Sequence, residues 1–188
     1  MRARRGLDKD TVVSAAIELV NAEGIGALSL SRLAKDLGVR TPSLYNHVDG
    51  LPGLRRELAL RNVHQLGERL TNAAIGKSGP QALRALAQAY RQYIKDFPGL
   101  YLASLQASGS QDTPDRELQV EEDRVVKVAL AVVESFGMYG NDALHAVRAL
   151  RSVVHGFATL EAEGGFGLPL DCDESFERMI EMMIRAWQ

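Results

Sequence analysis

Apolar residues recur at spacings of three and four along nearly the whole chain, and no stretch keeps the period-two alternation of a half-buried strand. The pattern predicts an all-α protein of about nine helices. Val13, Ala16, Ile17 and Val20 form the first stripe, opened by Asp8 as N-cap and ended by Gly24, with Leu7 and Val12 placed to close a hydrophobic staple. Ser29 caps a short second helix that buries Leu30, Leu33, Ala34 and Leu37, and Gly38 supplies the left-handed turn that stops it. Thr41 is the expected cap of a third helix, with Pro42 at the first position, where a missing N–H does no harm. A fourth starts near Leu51 or Pro52 and runs to about Ile75.

GKSGP at 76–80 reads as a linker. Beyond it Leu83, Leu86, Ala87, Tyr90, Ile94 and Phe97 form another stripe, closed by Pro98, and a short helix from about Gly99 to Ala107 follows. SGSQDTPD at 108–115 is a loop. Two long helices, Leu118 to Phe136 and Asp142 to Glu163, are separated by GMYGN, and GGFGLPLD breaks the chain again. The last helix aligns Phe176, Met179, Ile180, Met183, Ile184 and Trp187 on one face. The expected organisation is an N-terminal domain over 1–70 and a larger helical domain over 71–188.

The segment Gly38 to Val48, GVRTPSLYNHV, stops one short helix and starts another within four residues. With Leu44 and Val48 facing inward, Ala34 at the close approach and Gly38 at the turn, the spacing is that of a helix-turn-helix, whose second helix fits the major groove. The outward set is Arg40, Thr41, Ser43, Tyr45, Asn46 and His47. Arg, hydroxyls and backbone N–H groups address phosphates, Asn pairs with an adenine edge, and a Thr methyl packs on thymine. A helical adaptor using the same surface to bind protein is the competing reading. The arm Arg2, Arg4, Arg5 separates the two, because a basic arm suits a phosphate backbone or minor groove and an adaptor has no need of it.

Charge follows the same division. Residues 1–70 carry 11 Lys plus Arg against 8 Asp plus Glu, whereas 71–188 carry 11 against 16, within a net charge of -2. An anionic partner for the front part fits this asymmetry. With 188 residues and 46% hydrophobic content the chain can bury a sizeable core. A single cysteine, Cys172, excludes an internal disulfide, no apolar run nears the roughly 18 residues of a membrane span, and the basic start lacks a signal-peptide core. A reducing, cytoplasmic setting is expected. His145 and His155 lie on one helix about 15 Å apart, too far to share a metal. There is no phosphate-binding glycine loop and no nucleophile with a base, so neither an enzyme nor a cofactor is expected.

From about Leu7 to Leu70 the sequence resembles the TetR family of bacterial transcription regulators, through Leu33-Ala34, Leu37-Gly38-Val39, Pro42-Ser43-Leu44-Tyr45, His47-Val48 and Leu54. LYNHV is particularly similar to tetracycline-repressor members. The resemblance implies that Thr41, Pro42, Ser43, Tyr45, Asn46 and His47 lie at DNA-facing positions, with Ser31 contributing from the preceding helix. Many members place a phosphate-binding lysine where this chain has Leu51, an interaction that Arg55, Arg56 or a backbone N–H would have to supply. LRSVVHGFATLE at 150–161 resembles the effector domain of a subgroup named for a Trp-His-Gly pattern, with Arg151 in place of the tryptophan. That likeness implies a ligand-sensing, dimerising domain.

The expected function is a ligand-responsive DNA-binding regulator, a repressor or alternatively an activator. The last two long helices carry more apolar surface than one small core can hide, which predicts a homodimer and hence a palindromic double-stranded DNA operator. Phe97, Tyr101, Phe136, Met138, Tyr139 and Phe157, with His155, suit a small, mostly apolar effector fixed by one or two polar contacts.

Overall fold

The structure is a computed structural model and describes residues 7–107 and 115–188. Its described residues form nine α-helices and no strand: α1 Lys9–Glu23, α2 Leu30–Asp36, α3 Thr41–Leu44, α4 Gly50–Ala74, α5 Gly79–Asp96, α6 Pro98–Ala107, α7 Arg116–Glu134, α8 Gly140–Ala162 and α9 Cys172–Trp187. A single 3-10 turn, Ile25–Ala27, follows α1. The all-α class read from periodicity is the class observed.

Two compact units are present, and they divide elsewhere than at residue 70. One comprises the chain up to Asn62 together with Gly99–Asp115; the other comprises Val63–Pro98 and Arg116–Gln188. In the first, Asp8 accepts the Thr11 N–H at 2.7 Å and Ser29 accepts the Arg32 N–H at 3.2 Å, so the two expected N-caps form. Val12, Val13, Ala16, Leu33, Ala34, Leu44, Val48, Leu54 and Leu58 are buried together around these short helices. The cap of α3 differs from expectation. Arg40 is the extended N-cap residue, its side chain makes no capping bond, and Thr41 is the first helical residue. The turn closes one residue early because the Ser43 N–H donates to the Arg40 carbonyl at 2.9 Å.

Residues 99–107 join the first unit through close backbone packing. A Cβ on Gly99 would stand 2.7 Å from the Asn21 nitrogen and nearer still to the Val20 carbonyl, so only glycine permits this approach of α6 to the end of α1. Asn21 Oδ1 then accepts the Leu100 N–H at 2.9 Å, capping α6 from 79 residues away. Asn62 and Ser104, both buried, share a hydrogen bond of 2.8 Å.

In the second unit α5 packs against α7, α8 and α9, and α7 packs against α8. Leu83, Leu86, Tyr93, Ile94, Val133, Val154, Phe176, Ile180 and Ile184 are buried there. Burial pushes the Tyr93 phenol well above its ordinary pKa, although Arg69 opposes this, so the ring is a neutral core residue.

Candidate nucleic-acid interface and effector region

The turn between α2 and α3 is built by backbone hydrogen bonds before any side chain acts. Gly38 takes φ 67°, which only glycine adopts without cost, and the Val39 N–H reaches back to the Ala34 carbonyl at 2.9 Å. Beyond α3 the chain keeps turning, with the His47 and Val48 N–H groups both on the Leu44 carbonyl at 2.9 and 3.0 Å. Leu44 and Val48 point into the core and fix the rotation of this segment. Arg40, Pro42, Tyr45 and Asn46 are thereby exposed, Tyr45 by 60%, while Thr41, Ser43 and His47 are half-buried. Ser31 is exposed on α2, its hydroxyl 3.2 Å from that of Ser29. Arg2, Arg4 and Arg5 lie outside the described residues.

Charge pairing sorts the cations near this surface. Arg32 is held by Glu23 at 2.6 Å and by Asp36 at 2.9 Å. Arg56 is clamped by both oxygens of Asp115 and touches Glu57, which also takes Lys9. Arg61 pairs with Asp10. Among the described residues no ion pair involves Arg40, Lys35 or Arg55, and all three are exposed. Of the two arginines that could stand in for a lysine at position 51, Arg56 is therefore committed to the protein, and Arg55 is the one open to a phosphate.

The aromatic residues expected around a ligand are spread over separate places. Phe157 sits between Phe166 and Phe176, with ring centroids 4.8 and 5.2 Å away. Phe136 packs edge-on to Trp187 at 5.5 Å, beside the cluster of Val133, Ala143, Ala146 and Met138. Phe97 stacks near Tyr93 at 5.3 Å. Tyr101 is 2% exposed and belongs to the first unit, whereas Tyr139 is 67% exposed. His155 is half-buried on α8, and burial, aided by the neighbouring Arg151 charge, lowers its pKa. It is therefore a neutral imidazole at pH 7, with one donor and one acceptor nitrogen.

Two features of this unit have no clear signal in the sequence. Arg91 is 2% exposed, bidentate to Glu161 at 2.6 Å, and lies 4.8 Å over the Phe176 ring. Beside it, the α8–α9 connection lines a partly open pocket of about 230 Å³ walled by Phe157, Phe166, Leu168, Leu170, Cys172 and Ser175. GGFGLPL reads only as a break between helices; its large apolar residues among glycines are the available hint.

Among the described residues no helix is long and apolar enough to cross a membrane, and no cluster of three or more His, Cys, Asp or Glu side chains is arranged to hold a metal. Residues 83–183 match the family model of the tetracyclin repressor-like C-terminal domain. The HTH-type transcriptional regulator YobS of Bacillus subtilis (strain 168) is 34% identical over 185 residues, 98% of this chain and 94% of the relative. The tetracycline repressor protein class D of Escherichia coli is 30% identical over 116 residues, 60% of this chain and 53% of that protein. Among solved structures, a variant of TetR from Acinetobacter baumannii AYE in complex with minocycline has the same fold, with a TM-score of 0.70 and 23% identity over 97% of both chains. Regulators of this kind bind DNA and small-molecule effectors and dimerise, and they are not enzymes. A helix-turn-helix joined to a C-terminal half that fits the family model leaves one assignment: the chain belongs to the TetR family of transcriptional regulators.

Proposed function

We propose that this regulator is a repressor that binds a palindromic operator as a homodimer and leaves it when a small, mostly apolar molecule occupies the C-terminal unit. The observation that carries the reading is the exposed row Arg40, Pro42, Tyr45 and Asn46 on a segment whose opposite face, Leu44 and Val48, is locked in the core. Ser31, Thr41, Ser43 and His47 border that row, and Arg2, Arg4 and Arg5 would extend it into a phosphate or minor-groove arm. A gel shift with the DNA upstream of the protein's own gene tests the reading. A shift at nanomolar protein supports it, and the same weak binding to that fragment and to random DNA overturns it.

Within the surface, Thr41 and Asn46 read bases and Tyr45 and His47 position the backbone. Changing Asn46 or Thr41 to Ala should cost about 1–3 kcal/mol on the preferred operator and relax one base pair in each half-site. Tyr45→Phe should weaken every sequence alike, because phosphate contacts carry no direct sequence information. Competition against single-base operator variants separates the two outcomes.

Arg55 supplies the phosphate interaction that Leu51 cannot make. Arg55→Ala should reduce the slope of log affinity against log salt by about 0.9 for each phosphate left unneutralised. Arg56→Ala should instead destabilise the fold, since it removes both hydrogen bonds from the guanidinium to the Asp115 carboxylate, and a salt titration with a thermal melt of each variant distinguishes them.

Dimerisation would use α8 and α9, whose outer faces expose Leu144, Leu160 and Met182. Two copies would form a four-helix bundle. Light scattering should give twice the chain mass at micromolar concentration, and Leu144→Glu with Met182→Glu should return it to the monomer.

The effector would be recognised by aromatic faces such as Phe97, Phe136 and Phe157, with the neutral His155 as a polar handle; Tyr101 and Tyr139, deeply buried and widely exposed respectively, are weaker candidates. Such a molecule shifts the operator equilibrium only by its differential affinity for the two states of the dimer.

A further inference from the structure

The corner between the helix-turn-helix and α4 is built without a phosphate anchor. Gly50 takes φ 67°, and the exposed Tyr45 brings its ring to 4.0 Å from where a Gly50 Cβ would stand, so residues 49 and 50 border the outward row. A helix start normally offers free N–H groups to an anion. Here the Gly50 N–H donates to the Val48 carbonyl at 2.9 Å, the Gly53 N–H donates to the Asp49 carbonyl at 3.1 Å, and Pro52 has no N–H. Leu51 adds a side chain without charge.

Asp49 stands in that corner as an exposed carboxylate. Among the described residues it takes part in no ion pair and no side-chain hydrogen bond. It precedes the first residue of α4, the N-cap position, yet Pro52, the third helical residue, has no N–H to give it. Its place is fixed all the same. A Cβ on Gly53 would stand 2.8 Å from the Asp49 Cβ, so the first turn of α4 lies directly against this side chain.

Other carboxylates of the same unit are matched. Asp8 accepts the Thr11 N–H, Glu23 and Asp36 share Arg32, Glu57 takes Lys9, Asp10 takes Arg61 and Asp115 takes Arg56. Glu18 and Asp49 are exposed and make no ion pair among the described residues, and of these two Asp49 borders the outward row. A carboxylate only accepts hydrogen bonds, and so does a phosphate oxygen, so the two repel with no bond between them to offset the repulsion.

We propose that Asp49 is an electrostatic brake on DNA binding, holding the affinity for duplexes of every sequence below what Lys35, Arg40 and Arg55 would otherwise give. The inference rests on the reading that this surface meets DNA. Repulsion between groups in solvent is screened over about 10 Å at 0.1 M salt and about 3 Å at 1 M, which makes the brake strongest in dilute salt. Sequence preference is untouched, because phosphates carry no direct sequence information.

Fluorescence anisotropy on the full-length chain, with the upstream fragment and a random duplex of equal length at about 50 and about 200 mM KCl, tests this. Asp49→Asn keeps the size of the side chain and should tighten both duplexes by about threefold to tenfold at the lower salt, a gain that shrinks by about half or more at the higher. Asp49→Lys should gain more, since it adds an attraction where it removes a repulsion. Glu18→Gln deletes the same charge elsewhere on the unit and should gain less than about twofold. A misfolded variant cannot bind more tightly, so loss of structure does not mimic the result. The inference is overturned if Asp49→Asn binds no tighter than the parent, if Glu18→Gln gains as much, or if the gain survives undiminished at the higher salt. It is overturned as well if Asp49→Asn weakens the upstream fragment alone, because the carboxylate would then be accepting from a base amine such as cytosine N4. A parent that binds both duplexes alike removes the repressor reading, and a gain on both by Asp49→Asn still upholds the brake.

Discussion

Replacing Gly99 by alanine is expected to destabilise the protein strongly, although alanine is the better helix former by up to about 1 kcal/mol. The added Cβ would meet the Val20 carbonyl and the Asn21 nitrogen, which are backbone atoms and cannot rotate away as a side-chain tip would. Either α6 withdraws from α1 or the last turn of α1 distorts. Withdrawal also breaks the bond from the Leu100 N–H to Asn21, and leaves the start of α6 without that acceptor. Overpacking at about 3 kcal/mol together with a broken cap at about 1 kcal/mol lowers Tm by roughly 8–16 °C in a chain of this size. Asn21→Ala isolates the cap and should cost only about 1 kcal/mol. Thermal melts followed by circular dichroism give both numbers, and hydrogen exchange should show α6 amides opening faster in the Gly99 variant. An unchanged or raised Tm for Gly99→Ala would mean that α6 does not rest on α1 as described.

The same close approach shows where sequence reasoning reaches its limit. Asp8 and Ser29 are legible as caps because each acts on an N–H three residues away, and the stripe from Val13 to Val20 is legible because a helix repeats locally. That Gly99–Asp115 belongs with the first 62 residues depends on contacts spanning 42 to 79 positions, which no local pattern encodes. Thr41 reads as the cap of α3 because a hydroxyl before a proline is the usual signal, yet the turn closes on Arg40. The outward positions of the helix-turn-helix are readable from Leu44 and Val48, since two fixed inward residues set the orientation of those between them. The aromatic set is less readable. Phe136 and Tyr139 are three residues apart, but both follow the end of α7 and Tyr139 precedes the start of α8, so one packs on Trp187 and the other faces solvent. Arg91 follows Tyr90 in the sequence as an ordinary polar position, and only α8 and α9, folded back against α5, reveal that it is buried.

That buried arginine carries the second large effect. Glu161→Gln removes the bidentate partner of Arg91 while keeping nearly the same volume, and it leaves a guanidinium 2% exposed with only Asp173, itself 75% exposed, to balance it. Breaking a buried pair from one side costs about 3 kcal/mol, which corresponds to a Tm lower by roughly 6–12 °C. Acid should erase the difference. Hydrogen bonds from Arg91 and then Lys95 hold the Glu161 carboxyl below the usual carboxylate range, against burial, which pushes it up. A carboxyl depressed in the folded state stabilises fully above its unfolded pKa of about 4.3, and that stability is lost as pH falls through the lower folded value. Urea unfolding of parent and variant should therefore differ by a constant amount from about pH 8 to 6 and converge below about pH 4. Pairing Glu161→Leu with Arg91→Met should recover much of the loss, because a well-packed apolar pair avoids the desolvation that the ions must offset. A gap that stayed open in acid would assign the cost to altered packing around Phe157 and Phe176, and the charge of Glu161 would then carry none of it.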